Sequence, residues 1–282
     1  MQPYYSLQEK GIRPIIKNAL GLKIPKEDLE ILSYLCLNND IIKHLFSDNR
    51  SNLSDHSLVN KFRSYKKPDK SLDEAIVVNE KTFSELFSVT GLYRSTFGEE
   101  YNLTQFLNSK LHYSAGSNGS GVYFTENDPK YSIDHFQKSD ENKNQSRFGH
   151  LFKVALNPES KVIDKIKLFE VQRDLITAVN NKQYADGEKI EFKCDKEVLV
   201  RMLQSDPSLI ALMIGVSSVY VPFRNFTNQG NFGHFVMLNK NAAAVSKNQD
   251  SLDVKVDIQN LKNNPEQEKS IISEKLKIML PR

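Results

Sequence analysis

One stretch constrains this chain more than any other. A strand-like run, Leu92-Tyr93-Arg94, ends on a cation, and a glycine- and serine-rich loop then feeds a second strand. The loop and strand read GSNGSGVYFTEN over 116–127. Gly116, Gly119 and Gly121 lie within six residues of one another. They allow either a hairpin turn or a close backbone approach to a ligand. Arg94 closes an apolar run. It is either a surface ion-pairing residue or a buried fork that grips an anion. Tyr123 is either a core aromatic of the strand or a ring that stacks on a ligand. Ser120 and Thr125 either cap the turn that follows or offer hydroxyls to a bound sugar. Neither the G-x-G-x-x-G nor the G-x-x-x-x-G-K-[ST] pattern occurs, so any nucleotide is held by other means.

At these residues the chain resembles the ADP-ribosyltransferase superfamily. Its enzymes cleave NAD at the nicotinamide–ribose bond and move ADP-ribose to an acceptor. Tyr93-Arg94 is similar to the end of the family's first core strand. Gly121-Val122-Tyr123-Phe124-Thr125 is similar to the G-x-Y-F strand of the poly(ADP-ribose) polymerases. The apolar run GHFVMLNK over 233–240, followed by Ala242-Ala243-Ala244-Val245, looks like the last core strands of bacterial and phage-borne members. The resemblance extends over about 82–246. It implies NAD as substrate, bound by Arg94, Ser95, Gly116, Ser120, Gly121, Tyr123 and Thr125, with Arg94 also part of the catalytic set. It also implies a mono-ADP-ribosyltransferase of the bacterial effector or toxin type, acting on a protein acceptor.

The chain departs from the family at one place. The catalytic acid usually precedes the late strand, but the segment TNQGNFGH over 227–234 has no carboxylate. Glu126, at the end of the second motif, is the first candidate. Glu141, Glu170 and Glu191 are the others. A carboxylate is wanted because cleavage builds positive charge on the ribose, and a nearby anion stabilises it. Gln229 either orients an acceptor or sits in a solvated loop. His112, His135 and His234 read as structural histidines before they read as catalysts. Without the late acid, a second class stays open: a module of the same fold that binds NAD or a partner without transfer. A third is an assembly module that uses its helical ends.

Bulk properties narrow the setting. Of 282 residues, 39% are apolar and 26% charged, enough for a sizeable core and against wholesale disorder. The net charge of +3, with no dense basic stripe, does not indicate a nucleic-acid partner. Cys36 and Cys194 read as reduced thiols. No ligand spacing for a metal occurs. No apolar run is long enough for a membrane helix, and the start, MQPYYSLQEKG, lacks a signal-peptide core. The expectation is a soluble protein, with any export into a host cytoplasm by a route independent of a signal peptide.

Three regions follow from the pattern. Residues 1–80 are helical and polar, with Leu29, Leu32, Leu35 and Cys36 at helical spacing. They are expected to border the NAD cleft or to recruit a target. Residues 81–248 mix short strands (89–94, 121–125, 150–156, 161–166, 219–223, 235–238) with helices at 82–87, 128–137 and 196–203. This predicts an α+β fold, a pair of packed antiparallel or mixed sheets with helical additions at both ends. Residues 249–282 are expected to form a C-terminal helical tail.

Overall fold

A computed structural model describes residues 24–47, 53–65, 74–97, 121–126, 148–184, 186–223, 232–247 and 253–257. The fold is α+β. Seven helices and nine strands belong to these residues. The helices are α1 (Lys26–Asn38), α2 (Asp40–Ser47), α3 (His56–Arg63), α4 (Glu80–Thr90), α5 (Lys165–Asn181), α6 (Lys196–Ser205) and α7 (Pro207–Met213). The strands are β1 (Ile76–Val78), β2 (Gly91–Phe97), β3 (Val122–Glu126), β4 (Phe148–Leu156), β5 (Val162–Asp164), β6 (Ser218–Phe223), β7 (Phe232–Met237), β8 (Ala243–Ser246) and β9 (Asp253–Asp257).

Two packed sheets were expected, but the ladder is one continuous mixed sheet in the order β1-β8-β4-β2-β3-β7-β6-β5. The reason lies in β2, which pairs antiparallel with β4 on one edge and β3 on the other, leaving no gap between halves. The sheet branches at β4. Its free edge is shared between β9, opposite residues 148–152, and β8, opposite Ala155 and Leu156. The two end pairs, β1 with β8 and β5 with β6, are parallel.

Two apolar cores result. One joins α3 and α4 to β1, β2, β4, β8 and the Val122, Phe124 and Met237 side chains. The other joins α1, α2, α5, α6 and α7 to Ile163, Val219, Val221, Val236 and Leu238. Neighbours along β3 and β7 therefore serve opposite cores, as the two-residue period of a strand requires.

Several helices begin and end for local reasons. Asn79 accepts from the Thr82 N–H at 2.8 Å and starts α4. That helix runs through Thr90, so the strand expected from Val89 begins only at Gly91. Asp164 accepts from the Ile166 N–H at 2.7 Å and starts α5, so the strand expected over 161–166 ends at Asp164. Leu168, Val171, Leu175 and Val179 form its buried stripe. The tail expected to be helical opens instead with β9, whose sequence DVKVD alternates with the period of a strand. The helix expected at 128–137 and the segment 270–280 lie outside the described residues.

The described residues before position 80 are built into the body. β1 supplies a strand, and Leu29, Leu32, Cys36 and Ile42 sit in the second core. Asp28 fastens α1 to the segment before α6. Its fully buried carboxylate accepts from the backbone N–H groups of Lys193 at 2.9 Å and Cys194 at 2.8 Å. Asp28→Ala strands both donors, and an unsatisfied buried donor costs about 1–3 kcal/mol. Urea unfolding is expected to show a loss of about 2–4 kcal/mol. A loss under ~0.5 kcal/mol, the range of ordinary surface changes, would show that the clamp contributes nothing.

Candidate functional site

A cleft of about 1160 Å³ opens on one face of the sheet. Its floor follows from register. Asp164 of β5 lies opposite Tyr220 of β6, and Tyr220 opposite Phe235 of β7. Phe235 lies opposite Phe124 of β3, and Glu126, two residues further along β3, lies opposite Leu92 of β2. Asp164, Tyr220, Phe235, Glu126 and Leu92 all line the cleft. The walls come from Ile41, His44 and Leu45 of α2, from Val89 and Thr90 ending α4, and from Lys161, Lys167 and Glu170. Helix α2, from the N-terminal region, is thus one wall.

The chemistry of the cleft is mixed. Three carboxylates, Glu126, Asp164 and Glu170, share it with the cations Lys161 and Lys167. Lys161 donates to the Leu45 carbonyl at 3.2 Å and lies 5.9 Å from the centre of the Phe46 ring, which ties α2 to the rim. Asp164 is occupied as the cap of α5. Among the described residues, the Glu126 carboxylate makes one side-chain hydrogen bond, the Tyr220 hydroxyl donating to its Oε2 at 3.3 Å. Burial, then the charge of Glu126 and its hydrogen bond, raise the Tyr220 pKa above the usual 10.0, so the phenol stays a donor at neutral pH.

The residues singled out by the sequence are distributed unevenly. Glu126 lines the cleft, as does Glu170 of α5. Glu191 is exposed between α5 and α6, away from the cleft-lining residues. Arg94 is half-buried on β2, and its Nη1 donates to the Tyr123 carbonyl at 2.8 Å. The guanidinium thus spends a hydrogen bond fastening β2 to β3, and Arg94 is not among the cleft-lining residues. Tyr123 points to the opposite face and packs against the second core, as expected for a core aromatic. Thr125 is buried there too, its Oγ1 donating to the Tyr93 carbonyl at 3.3 Å. His234, opposite Thr125, is buried on that same side of the sheet.

Gly121 has a packing reason for being glycine. A Cβ there would lie 2.6 Å from Val236 Cγ1 and 2.9 Å from the Met237 carbonyl oxygen. Its lack of a side chain lets β3 approach β7, whatever the loop before it holds. Ser95 lies on β2 opposite Leu151. Gly116, Ser120, His112, His135, Glu141 and Gln229 lie outside the described residues. Sequence reasoning missed Tyr220, Asp164, Lys161 and Lys167. The apolar alternation of Val219 and Val221 marked 219–223 as a strand, but it does not say what Tyr220 faces.

Neither Cys36 nor Cys194 is part of a disulfide. Burial raises the Cys36 pKa, and burial followed by the charge of Asp28 raises that of Cys194, so neither is primed as a nucleophile. Among the described residues, no group of three or more His, Cys, Asp or Glu side chains could hold a metal ion. Among the same residues, no helix is long and apolar enough to cross a membrane.

Lys153 is a buried charged residue of β4, opposite Tyr93 of β2. It is only 2% exposed, and its Nζ lies 5.5 Å from the centre of the Phe87 ring. Burial lowers its pKa from 10.5 to about 8. The folded state therefore releases this proton near pH 8, while the unfolded chain keeps it to about pH 10.4. Between those values the unfolded state binds more protons, so this group makes stability rise with pH. Below pH 8 the buried ammonium is carried at a cost of up to about 3 kcal/mol. Lys153→Met is expected to stabilise the fold at pH 7 by about 1–3 kcal/mol. The gain should shrink between pH 8 and 10. A gain that does not change with pH, or a loss of stability at pH 7, would contradict this.

Comparison with protein-family models, with curated proteins and with solved structures finds no match to this chain.

Proposed function

We propose that this chain is a mono-ADP-ribosyltransferase that cleaves NAD in the cleft and passes ADP-ribose to a protein acceptor, with Glu126 as the acid. The observation that carries this reading is the placement of Glu126. Its carboxylate lines the cleft at the end of the strand that follows the glycine loop, and among the described residues its only hydrogen bond is to Tyr220. A carboxylate so placed can stabilise the positive charge that grows on the ribose as the nicotinamide nitrogen leaves with the bonding pair. The acceptor then forms the new bond to the same carbon and gives up a proton. Lys161 and Lys167 on the rim supply cations for a pyrophosphate. In this reading Arg94 contributes by holding β3, the strand that ends in Glu126. An effector or toxin of bacterial type is the setting that the resemblance suggests.

A binding-only module is the second reading. One observation favours it: β7 reads FGHFVM and brings no carboxylate to the sheet, while Arg94 donates into the sheet. Incubation with NAD labelled in its adenylate phosphate, with and without a cell lysate, separates the two. Label on a protein supports transfer, and free labelled ADP-ribose supports hydrolysis by the same site. Bound but intact NAD would replace the enzyme reading with the second one.

A further inference from the structure

Tyr220 is set with more care than a core tyrosine needs. Its ring lies against Gly233 on the neighbouring strand, so closely that a Cβ at position 233 would run into the ring carbons and the hydroxyl. On the same strand, Phe235 packs its ring at 5.1 Å and 47° to that of Tyr220. Glycine on one side and phenylalanine on the other fix where the ring goes. The consequence appears at its tip, where the hydroxyl meets Glu126 Oε2 across 94 residues of sequence. The partner carboxylate Asp164 stands opposite on β5, lines the same cleft and is already committed to capping α5.

We propose that Tyr220 is the positioning residue of Glu126, its hydroxyl holding one carboxylate oxygen so that the other faces the ligand. The proposal rests on the reading of Glu126 as the acid of NAD cleavage. A glutamate has three rotatable side-chain bonds, and one fixed oxygen removes most of that freedom before substrate arrives. The hydroxyl touches the acid and not the reacting bond, so its loss is expected in turnover and not in NAD affinity. Gly233 belongs to the same device: it is the empty space into which the ring settles.

Two measurements on the full chain test this. The first is NAD cleavage by Tyr220→Phe, which keeps the ring and its packing. Loss of one hydrogen bond to a charged group is expected to lower kcat by about ten- to a hundredfold. KM for NAD should stay within about twofold and the melting temperature within about 2 °C, as for a change that leaves packing intact. The second is the titration of Tyr220 by NMR, with tyrosine labelled at the ring carbon bearing oxygen. Glu126 and Asp164 both raise its pKa after burial does. The titration should therefore move to lower pH in Glu126→Gln.

An unchanged kcat in folded Tyr220→Phe overturns the proposal. So does a Tyr220 titration indifferent to Glu126→Gln. If the wild-type chain leaves NAD intact, the function reading fails and the titration alone decides: dependence on Glu126 supports the positioning contact, and independence overturns it.

Discussion

Glu126→Gln is expected to lower NAD turnover by about a hundredfold or more, with the fold intact. The change keeps the shape of the side chain and removes its charge. A preorganised group aimed at developing charge is worth roughly 3–4 kcal/mol in the transition state. Tyr220 can still donate to the amide oxygen, so the ring and sheet stay in place. Glu170→Gln lines the same cleft from α5 and serves as the comparison. Turnover falling in Glu126→Gln and not in Glu170→Gln assigns the acid. The reverse pattern moves the role to α5.

Phe124→Ala should be the most destabilising single change beneath the site. Phe124 is fully buried at the middle of β3, and its ring meets that of Phe152 edge to face at 5.9 Å. Truncating a buried phenylalanine costs about 3–5 kcal/mol, from lost transfer energy and from the cavity left behind. The two rings reach across β2, so they help hold together the strands that carry Arg94 and Glu126. Chemical denaturation checks the figure. A loss below ~1 kcal/mol would mean that this part of the sheet is not packed as described.

The fold was legible where local pattern decides structure. Val219 and Val221 alternate on β6, and Leu199, Met202 and Leu203 repeat on α6 with helical spacing. It was less legible at α5. Leu168, Val171, Leu175 and Val179 carry a helical stripe, but Val162 and Ile163 just before them read as strand. The cap at Asp164 is where the period changes, and a cap is a small signal beside two apolar patterns. β9 has only five residues, so its alternation was easily absorbed into a charged tail.

The candidate site was legible in two residues, Glu126 and Glu170, and not in its setting. Glu126 stood out because it ends a motif strand. What surrounds it comes from β5, β6 and β7 and from α2, which meet it only through long-range pairing. No spacing in a single sequence says that Tyr220 will reach Glu126, or that α2 will form a wall. The weight placed on Arg94 and Tyr123 has the converse explanation. A motif names residues on adjacent strands without saying which face each one takes. The pleat sends Tyr123 to the second core, while Arg94 turns its guanidinium to a neighbouring carbonyl.

Release of nicotinamide from NAD by the purified full chain tests the central claim most directly. The account predicts that free nicotinamide accumulates with time and enzyme concentration, and that Glu126→Gln all but abolishes it. NAD recovered intact from the wild-type incubation, or release that proceeds equally in Glu126→Gln, would contradict it.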